Sequence, residues 1–453
     1  ICQSTQLALA KAPTLASRRN ASTLESRMKT RITHVHARRI WDSRGRPTVE
    51  VDVTLQDGSK GTGMAPAGAS RGSREALELR DGGESFNGLD VSKAVSQVNL
   101  AIAPQLVGMD ALDQSQADRT MIELDGTPLK SHLGANGMIA TSLAIAQAAA
   151  ASQGQVLWQY LSQGQAVRLP LPQIQIFGGG AHAGRRVDIQ DFLVMPIGAQ
   201  SFDEALVMVA NVYQAAGQWM ASQGKRHGVA DEGGWWPDFS SNEEALQTLT
   251  RCIELAGYRH DQVAIALDVA ASEFGQGGRY TLGLDQHTYT TDEWLEVLKR
   301  WVNTYPILSV EDPFAEDDTA GMRAFTDQLG HRIQVIGDDY LVTRVDLIEA
   351  AARDVACNAV LLKPNQVGTL SETRQAMLTA RQHGFGMVVS ARSGETEDTA
   401  ISHIATGWNT GQLKVGSFAR SERMAKWNEC LRIEESLGKN TSYAGKYGLK
   451  LAL

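Results

Sequence analysis

From residue 263 onward the chain repeats one pattern. A short apolar run ends in a polar or charged residue, and a helical stretch follows before the next run. Val263-Ala264-Ile265-Ala266-Leu267 ends at Asp268, and Ile307-Leu308-Ser309-Val310 ends at Glu311. Gln334-Val335-Ile336 leads to Gly337-Asp338, Ala359-Val360-Leu361-Leu362 to Lys363, and Phe385-Gly386-Met387-Val388-Val389 to Ser390. Helical spacing covers 292–302, 345–353 and 371–382 between them. Strands buried on both faces read as continuous apolar runs, and helical crossovers make their neighbours parallel. This many units within residues 161–453 favour a closed (β/α) barrel over a doubly wound sheet.

The earlier chain has another rhythm. Residues 31–40 and 48–56 alternate apolar and polar positions, which predicts strands, and Asp57-Gly58 marks a hairpin turn. Residues 92–106 and 138–151 have helical patterns. The second is Ala-rich and apolar on several sides, so it is expected to be buried. Residues 31–160 therefore read as a smaller α+β domain ahead of the barrel. Residues 1–30 carry Lys11, Arg18, Arg19, Arg27 and Lys29 against the single acid Glu25. This basic extension is either tag or upstream sequence ahead of Met28, or the remnant of an organellar targeting segment.

Charge and cysteine usage narrow the partners. The formal net charge is −8, which argues against a general binder of nucleic acid or anionic membrane. No apolar stretch reaches the length of a membrane span. Cys2, Cys252, Cys357 and Cys430 are far apart and form no CxxC pair, so neither a disulfide framework nor a thiolate zinc site is expected. A reducing, cytoplasmic location fits, with organellar import left open by residues 1–30.

The run ends carry the chemistry. In a barrel the carboxyl ends of the strands meet on one face. Asp268, Glu311 and Asp338 would converge there and repel one another unless a cation sits among them. Hard oxygen donors without cysteine suggest Mg²⁺ rather than Zn²⁺; the alternative is three unrelated caps and surface acids. Lys363 is a candidate base or a salt-bridge partner of one of those carboxylates. Lys414, within Gly411-Gln412-Leu413-Lys414-Val415-Gly416, could bind an anionic substrate or be an ordinary surface lysine. Arg392-Ser393-Gly394 could clamp a phosphate or form a plain turn. Gly178-Gly179-Gly180 before His182, and Asp231-Glu232-Gly233-Gly234 before Trp235-Trp236, suggest mobile covers over a site. Tight structural turns, with the tryptophans packing the loop down, are the alternative.

Longer motifs join these residues: Asp42-Ser43-Arg44-Gly45, Gly68-Ala69-Ser70, Glu78-Leu79-Arg80-Asp81, Leu133-Gly134-Ala135-Asn136, Asp231-Glu232-Gly233-Gly234, Glu311-Asp312-Pro313 and Gly337-Asp338-Asp339. Lys363-Pro364-Asn365-Gln366-Val367-Gly368, Arg392 through Asp398, and Ala419 through Arg423 complete the set. Over about residues 31–440 the chain resembles the enolase family. The resemblance implies a small N-terminal α+β domain and a modified (β/α)8 barrel with an early antiparallel hairpin. It implies two Mg²⁺ per site, a homodimer or larger homo-oligomer, and a hydro-lyase of glycolysis that dehydrates 2-phosphoglycerate to phosphoenolpyruvate. By matching motif, Asp268, Glu311 and Asp338 would hold one metal, and Ser70 would help bind the second. Lys363 would be the base at C2, and Glu232 the acid that assists loss of the C3 hydroxyl. His182 would lie near the substrate, Arg392 and Ser393 would hold the phosphate, and Lys414 would contact the carboxylate.

Several positions depart from the family pattern. Asp191 stands where a Glu is usual, Ala391 for His, Gly178 for Asn, Arg71 for Thr and Arg46 for Asn, while Trp235 and Trp236 enlarge the loop after Glu232. Asp191 belongs with the catalytic candidates, shortened by one methylene. Three functions fit this mixture: the family reaction, a related lyase on another phospho- or phosphono-carboxylate, or a weakly active paralogue used for binding or scaffolding.

Overall fold

Local alternation builds the first sheet of the molecule, seen in a computed structural model that describes residues 28–451. The basic extension falls almost wholly outside these residues. Strands β1 (Ile32–Trp41), β2 (Pro47–Leu55) and β3 (Lys60–Met64) form an antiparallel meander. At the β2–β3 turn Gly58 takes φ +88°, and Asp57 Oδ1 accepts from the Ser59 amide at 2.8 Å. The helix Ala135–Ser152 covers this sheet, and its buried Ala residues allow close approach. A Cβ at Gly61 would lie 2.2 Å from the Ala144 carbonyl oxygen, and one at Gly63 equally close to that of Ala140. Strand and helix thus meet backbone to backbone.

The expected helix over 92–106 forms with an interruption, a wider π turn at Val98–Ile102. Within it Asn99 accepts from the Ala37 amide and donates to the Ala37 carbonyl, satisfying the free edge of β1.

The apolar runs become barrel strands. These are β4 (Leu171–Gly178), β5 (Asp191–Met195), β6 (Ala264–Asp268), β10 (Ile307–Glu311), β11 (Gln334–Gly337), β12 (Ala359–Leu362), β13 (Gly386–Ser390) and β14 (Gly411–Ser417). The sheet closes in the order β10-β11-β12-β13-β14-β4-β5-β6. All neighbours are parallel except β5, which runs antiparallel to β4 and β6. That reversal puts the first residue of β5, Asp191, opposite the last residue of β6, Asp268. Glu311 pairs with Asp268, and Lys414 with Ser390, on the same rim.

Two features have no counterpart in the sequence reading. Between β6 and β10 lies a small meander of β7 (Gly275–Gln276), β8 (Arg279–Leu282) and β9 (His287–Thr290). Inside the barrel Gln173, Gln334 and Gln412 form a buried polar layer. Gln334 Nε2 donates to Ser309 Oγ at 3.0 Å, and Gln412 Nε2 donates to Gln334 Oε1 at 2.7 Å. Gln173 Nε2 donates to Gln412 Oε1 at 2.9 Å. The layer is stable because its amides find partners.

Among the described residues no helix is long and apolar enough to cross a membrane. The small sheet and the barrel are sewn together near the rim. The Ala67 and Gly394 amides exchange hydrogen bonds with each other's carbonyls at 2.8 Å, and Arg44 Nη2 donates to the Ala67 carbonyl.

Candidate active site

Five strands deliver their rim residues into one buried cluster. Lys414, on β14, donates through Nζ to Asp268 Oδ2 at 2.8 Å and to Glu311 Oε2 at 2.8 Å. Lys363, just past β12, pairs with Asp338 Oδ2, while Gln366 Nε2 donates to Asp338 Oδ1 at 2.9 Å. All five ionisable groups are buried. Burial, then Asp268, pushes the Glu311 carboxyl well above its ordinary range. Burial opposes the Lys414 charge, yet Asp268 and Glu311 outweigh it and raise that amine well above its usual value. Burial likewise opposes the charges on Lys363 and Asp338, but their mutual attraction prevails, raising the amine and lowering the acid.

A second tier holds this arrangement. Asp312 accepts from the backbone amides of Asp338 and Asp339 at 2.8 and 2.7 Å. Burial and the nearby Asp338 push Asp312 up to about 8. Arg423, fully buried, donates to the carbonyls of Arg392 and Ser393 and so fixes their turn. The Arg392 guanidinium meets Glu75 at 2.9 Å and the Ser70 carbonyl at 3.0 Å. Ser393 Oγ accepts from Arg44 Nη1 at 3.3 Å. The loop bearing Ser70 therefore lies across the barrel mouth. A Cβ at Gly68 would come within 2.0 Å of the Arg392 guanidinium, so only glycine fits this crossing.

A third group lines the same cavity as Lys363. His182 Nδ1 lies 2.9 Å from Asp191 Oδ1, and His182 Nε2 lies 3.7 Å from Glu232 Oε1. Burial works against a charged imidazole, but Asp191 and then Glu232 lift its pKa to about 9. Asp191 is correspondingly held well below the usual carboxylate range, against its burial, first by His182. The Asp231 amide donates to the His182 carbonyl at 3.0 Å, which ties the two glycine-bearing loops together. Trp235 packs its loop down, as the plainer sequence reading had it. Its ring stacks on Tyr213 at 4.8 Å, and its Nε1 donates to the Tyr213 carbonyl.

Ser70, His182, Asp191, Glu232, Asp268, Lys363, Arg392, Ser393 and Lys414 all line one cavity of about 20 Å³, roughly room for a water. Glu311 and Asp338 lie beneath it, bonded to the lining lysines. Asp268, Glu311 and Asp338 do not present oxygens within 4.8 Å of one another. Among the described residues the groups that do are His182–Asp191–Glu232 and Asp312–Asp338–Asp339. Two lysine ammoniums divide the three carboxylates: Lys414 bridges Asp268 and Glu311, while Lys363 takes Asp338. Of the departures, Ala391 lines the cavity, whereas Arg71 is exposed and turns back to the Ala76 carbonyl. Arg71 therefore does not shape the pocket. Glu75 on Arg392, Gln175 donating to Asp191 Oδ1, and Gln190 donating to Asp268 Oδ2 at 3.0 Å also build the site, and nothing in their local sequence pattern sets them apart.

Larger clefts exist elsewhere. One of about 520 Å³, lined by Arg168, Arg374, Arg381 and Lys450, lies beside the segments that lead into β4 and β14, away from the rim. It lacks the convergent acids and bases of the rim, and chemistry rather than volume marks the reactive site.

Comparison with known proteins agrees with this geometry. Residues 32–161 match the family described as enolase, N-terminal domain, and residues 166–451 match enolase, C-terminal TIM barrel domain. "Enolase 1" of Desulfitobacterium hafniense (strain Y51) is 50% identical over 420 residues, covering 92% of this chain and 96% of that protein. A barrel whose one reversed strand carries an acid to the rim, capped by a loop from the smaller sheet, together with family matches across both parts, places this chain in the enolase family.

Proposed function

We propose that this rim cluster is the catalytic centre of the family reaction, the magnesium-dependent dehydration of 2-phosphoglycerate to phosphoenolpyruvate. The observation that carries the assignment is the convergence of a buried amine, Lys363, and a buried carboxyl, Glu232, on one cavity that Arg392 and Lys414 also line. Arg392 and Ser393 hold the phosphate, since a guanidinium fork and a hydroxyl match its oxygens. Lys414 faces the substrate carboxylate and opposes the charge that develops there. Lys363 takes the C2 proton. Glu232, oriented by His182 and Asp191, gives a proton to the departing C3 hydroxyl, which is otherwise a poor leaving group.

Magnesium suits the donor set. The acids at the ends of β6, β10 and β11 are hard oxygen donors buried on one rim, and no cysteine lines the cavity. Asp268, Glu311 and Asp338 would hold one ion, and Ser70 would help to hold a second. Bound there, Mg²⁺ supplies the positive charge that stabilises the aci-carboxylate formed by loss of the C2 proton. Lys363 acts as a base only when neutral, a form that its pairing with Asp338 disfavours. A homodimer or larger homo-oligomer belongs to the same proposal. Supporting it, Trp41 and Phe86 pack edge to face at 5.2 Å with Arg39 over both rings, yet remain 50% and 44% exposed.

The test is a steady-state assay of phosphoenolpyruvate formation with Mg²⁺. Turnover on the order of 1–10³ s⁻¹, abolished by chelator and by Lys363→Ala, is expected. Folded, magnesium-binding protein without turnover would overturn the assignment.

A further inference from the structure

Gln175 lies in the middle of β4 with its side chain fully buried. Its carboxamide sits in a slot between two glycines. A Cβ at Gly178 would come within 2.6 Å of Ala230 Cβ and 3.3 Å of both Gln175 amide atoms, and one at Gly234 within 2.5 Å of Gln175 Oε1. Neither glycine has positive φ, so crowding rather than backbone conformation requires them. The amide oxygen accepts from the Gly234 amide at 2.8 Å. The amide nitrogen donates to Asp191 Oδ1, the same oxygen that faces His182 Nδ1. One side chain thus joins β4, the acid at the start of β5, and the loop that carries Glu232 two residues earlier.

Two of the departures from the family pattern, Gly178 and Asp191, lie against this one amide. The missing side chain at 178 leaves room for the carboxamide, and the shortened acid at 191 is met by it. We propose that Gln175 is a positioning residue, forming with Gly178 and Asp191 a compensated set that holds His182 between Asp191 and Glu232. This rests on the reading of the site given above. In that reading Gln175 acts through Asp191 and His182 and does not touch the reacting atoms. A longer acid at 191 would run into the Gln175 amide, whereas a shorter amide at 175 would leave Asp191 Oδ1 held by His182 alone. Each change alone therefore misplaces His182, and the two together restore the summed length, as volume-conserving swaps do.

The experiment is a double-mutant cycle in the full chain with Gln175→Asn, Asp191→Glu and the pair, read by kcat and KM for 2-phosphoglycerate and by thermal midpoint without substrate. Each single change is expected to lower kcat about 10²-fold, as misplacement by an ångström can, with KM moved less than about threefold. The pair should return to within about tenfold of the parent kcat. A pair as slow as the product of the two singles would overturn the proposal, as would an unchanged kcat in Gln175→Asn. Rescue of the midpoint without rescue of kcat would reduce Gln175 to a structural residue and also overturn it. If the parent itself shows no turnover, the assigned reaction fails, and the His182 imidazole resonances followed by NMR across the same four proteins then decide: shifts in each single that the pair reverses uphold the set, and resonances unmoved in the singles overturn it.

Discussion

Each rim charge is held by a partner from another segment of the chain, so removing one leaves an uncompensated buried ion. Lys414 answers Asp268 and Glu311, Lys363 answers Asp338, and Arg392 answers Glu75. His182 lends itself to a direct test. Despite its burial, Asp191 and Glu232 raise its pKa from an ordinary 6.5 to about 9. A histidine raised on folding adds stability that is fully present below about 6.5 and is lost as pH climbs through its folded value. In chelator, the thermal midpoint of the protein should fall between pH 6.5 and about 9, and His182→Gln should flatten that fall. Equal slopes in the two proteins would show that His182 is not charged in the fold. At this scale the sequence was legible where charge broke an apolar run, as at Asp268, Glu311 and Lys363. Gln175 and Glu75 were not legible, because a lone polar residue in a strand or loop gives no sign of its partner.

The Ala-rich helix Ala135–Ser152 announced its burial, but its fit to the sheet depends on Gly61 and Gly63 of β3. Gly63→Val would drive side-chain atoms into the Ala140 carbonyl, 2.2 Å from a Cβ at that position. We expect a loss of about 1–3 kcal/mol or more, seen as a lower urea midpoint. An unchanged midpoint would mean that strand and helix can separate freely. The meander β7–β9 escaped notice because strands of two to four residues with exposed Thr, His and Arg carry little periodic signal. The direction of β5 was not legible in its own pattern, since an apolar run reads the same whichever way it crosses the sheet; only the family resemblance implied the early antiparallel hairpin that β4 and β5 form.

The whole molecule places a loop from the smaller sheet over the barrel mouth, with the Ser70 carbonyl on Arg392. The site is therefore built from both parts of the chain. The exposed Trp41–Phe86–Arg39 cluster lies on that smaller part. Sedimentation at micromolar protein should give a dimer or larger species, and Trp41→Glu should shift it toward monomer. A monomeric parent would remove the proposed assembly while leaving the chemistry intact.

By itself the sequence determined the barrel, its reactive rim and most of the residues on it. The reason is geometric: parallel strands send their last residues to one face, so charges at run ends must meet. The family motifs then attached expected roles to those residues. Only the tertiary structure decided which cation answers which carboxylate. It also revealed the glutamine layer inside the barrel, and showed that Asp191 reaches the rim because β5 is reversed. The slot that holds Gln175 between two glycines is of the same kind. These depend on groups far apart in the chain approaching within about 3 Å, where hydrogen bonding and ion pairing act, and local pattern holds no record of such approaches.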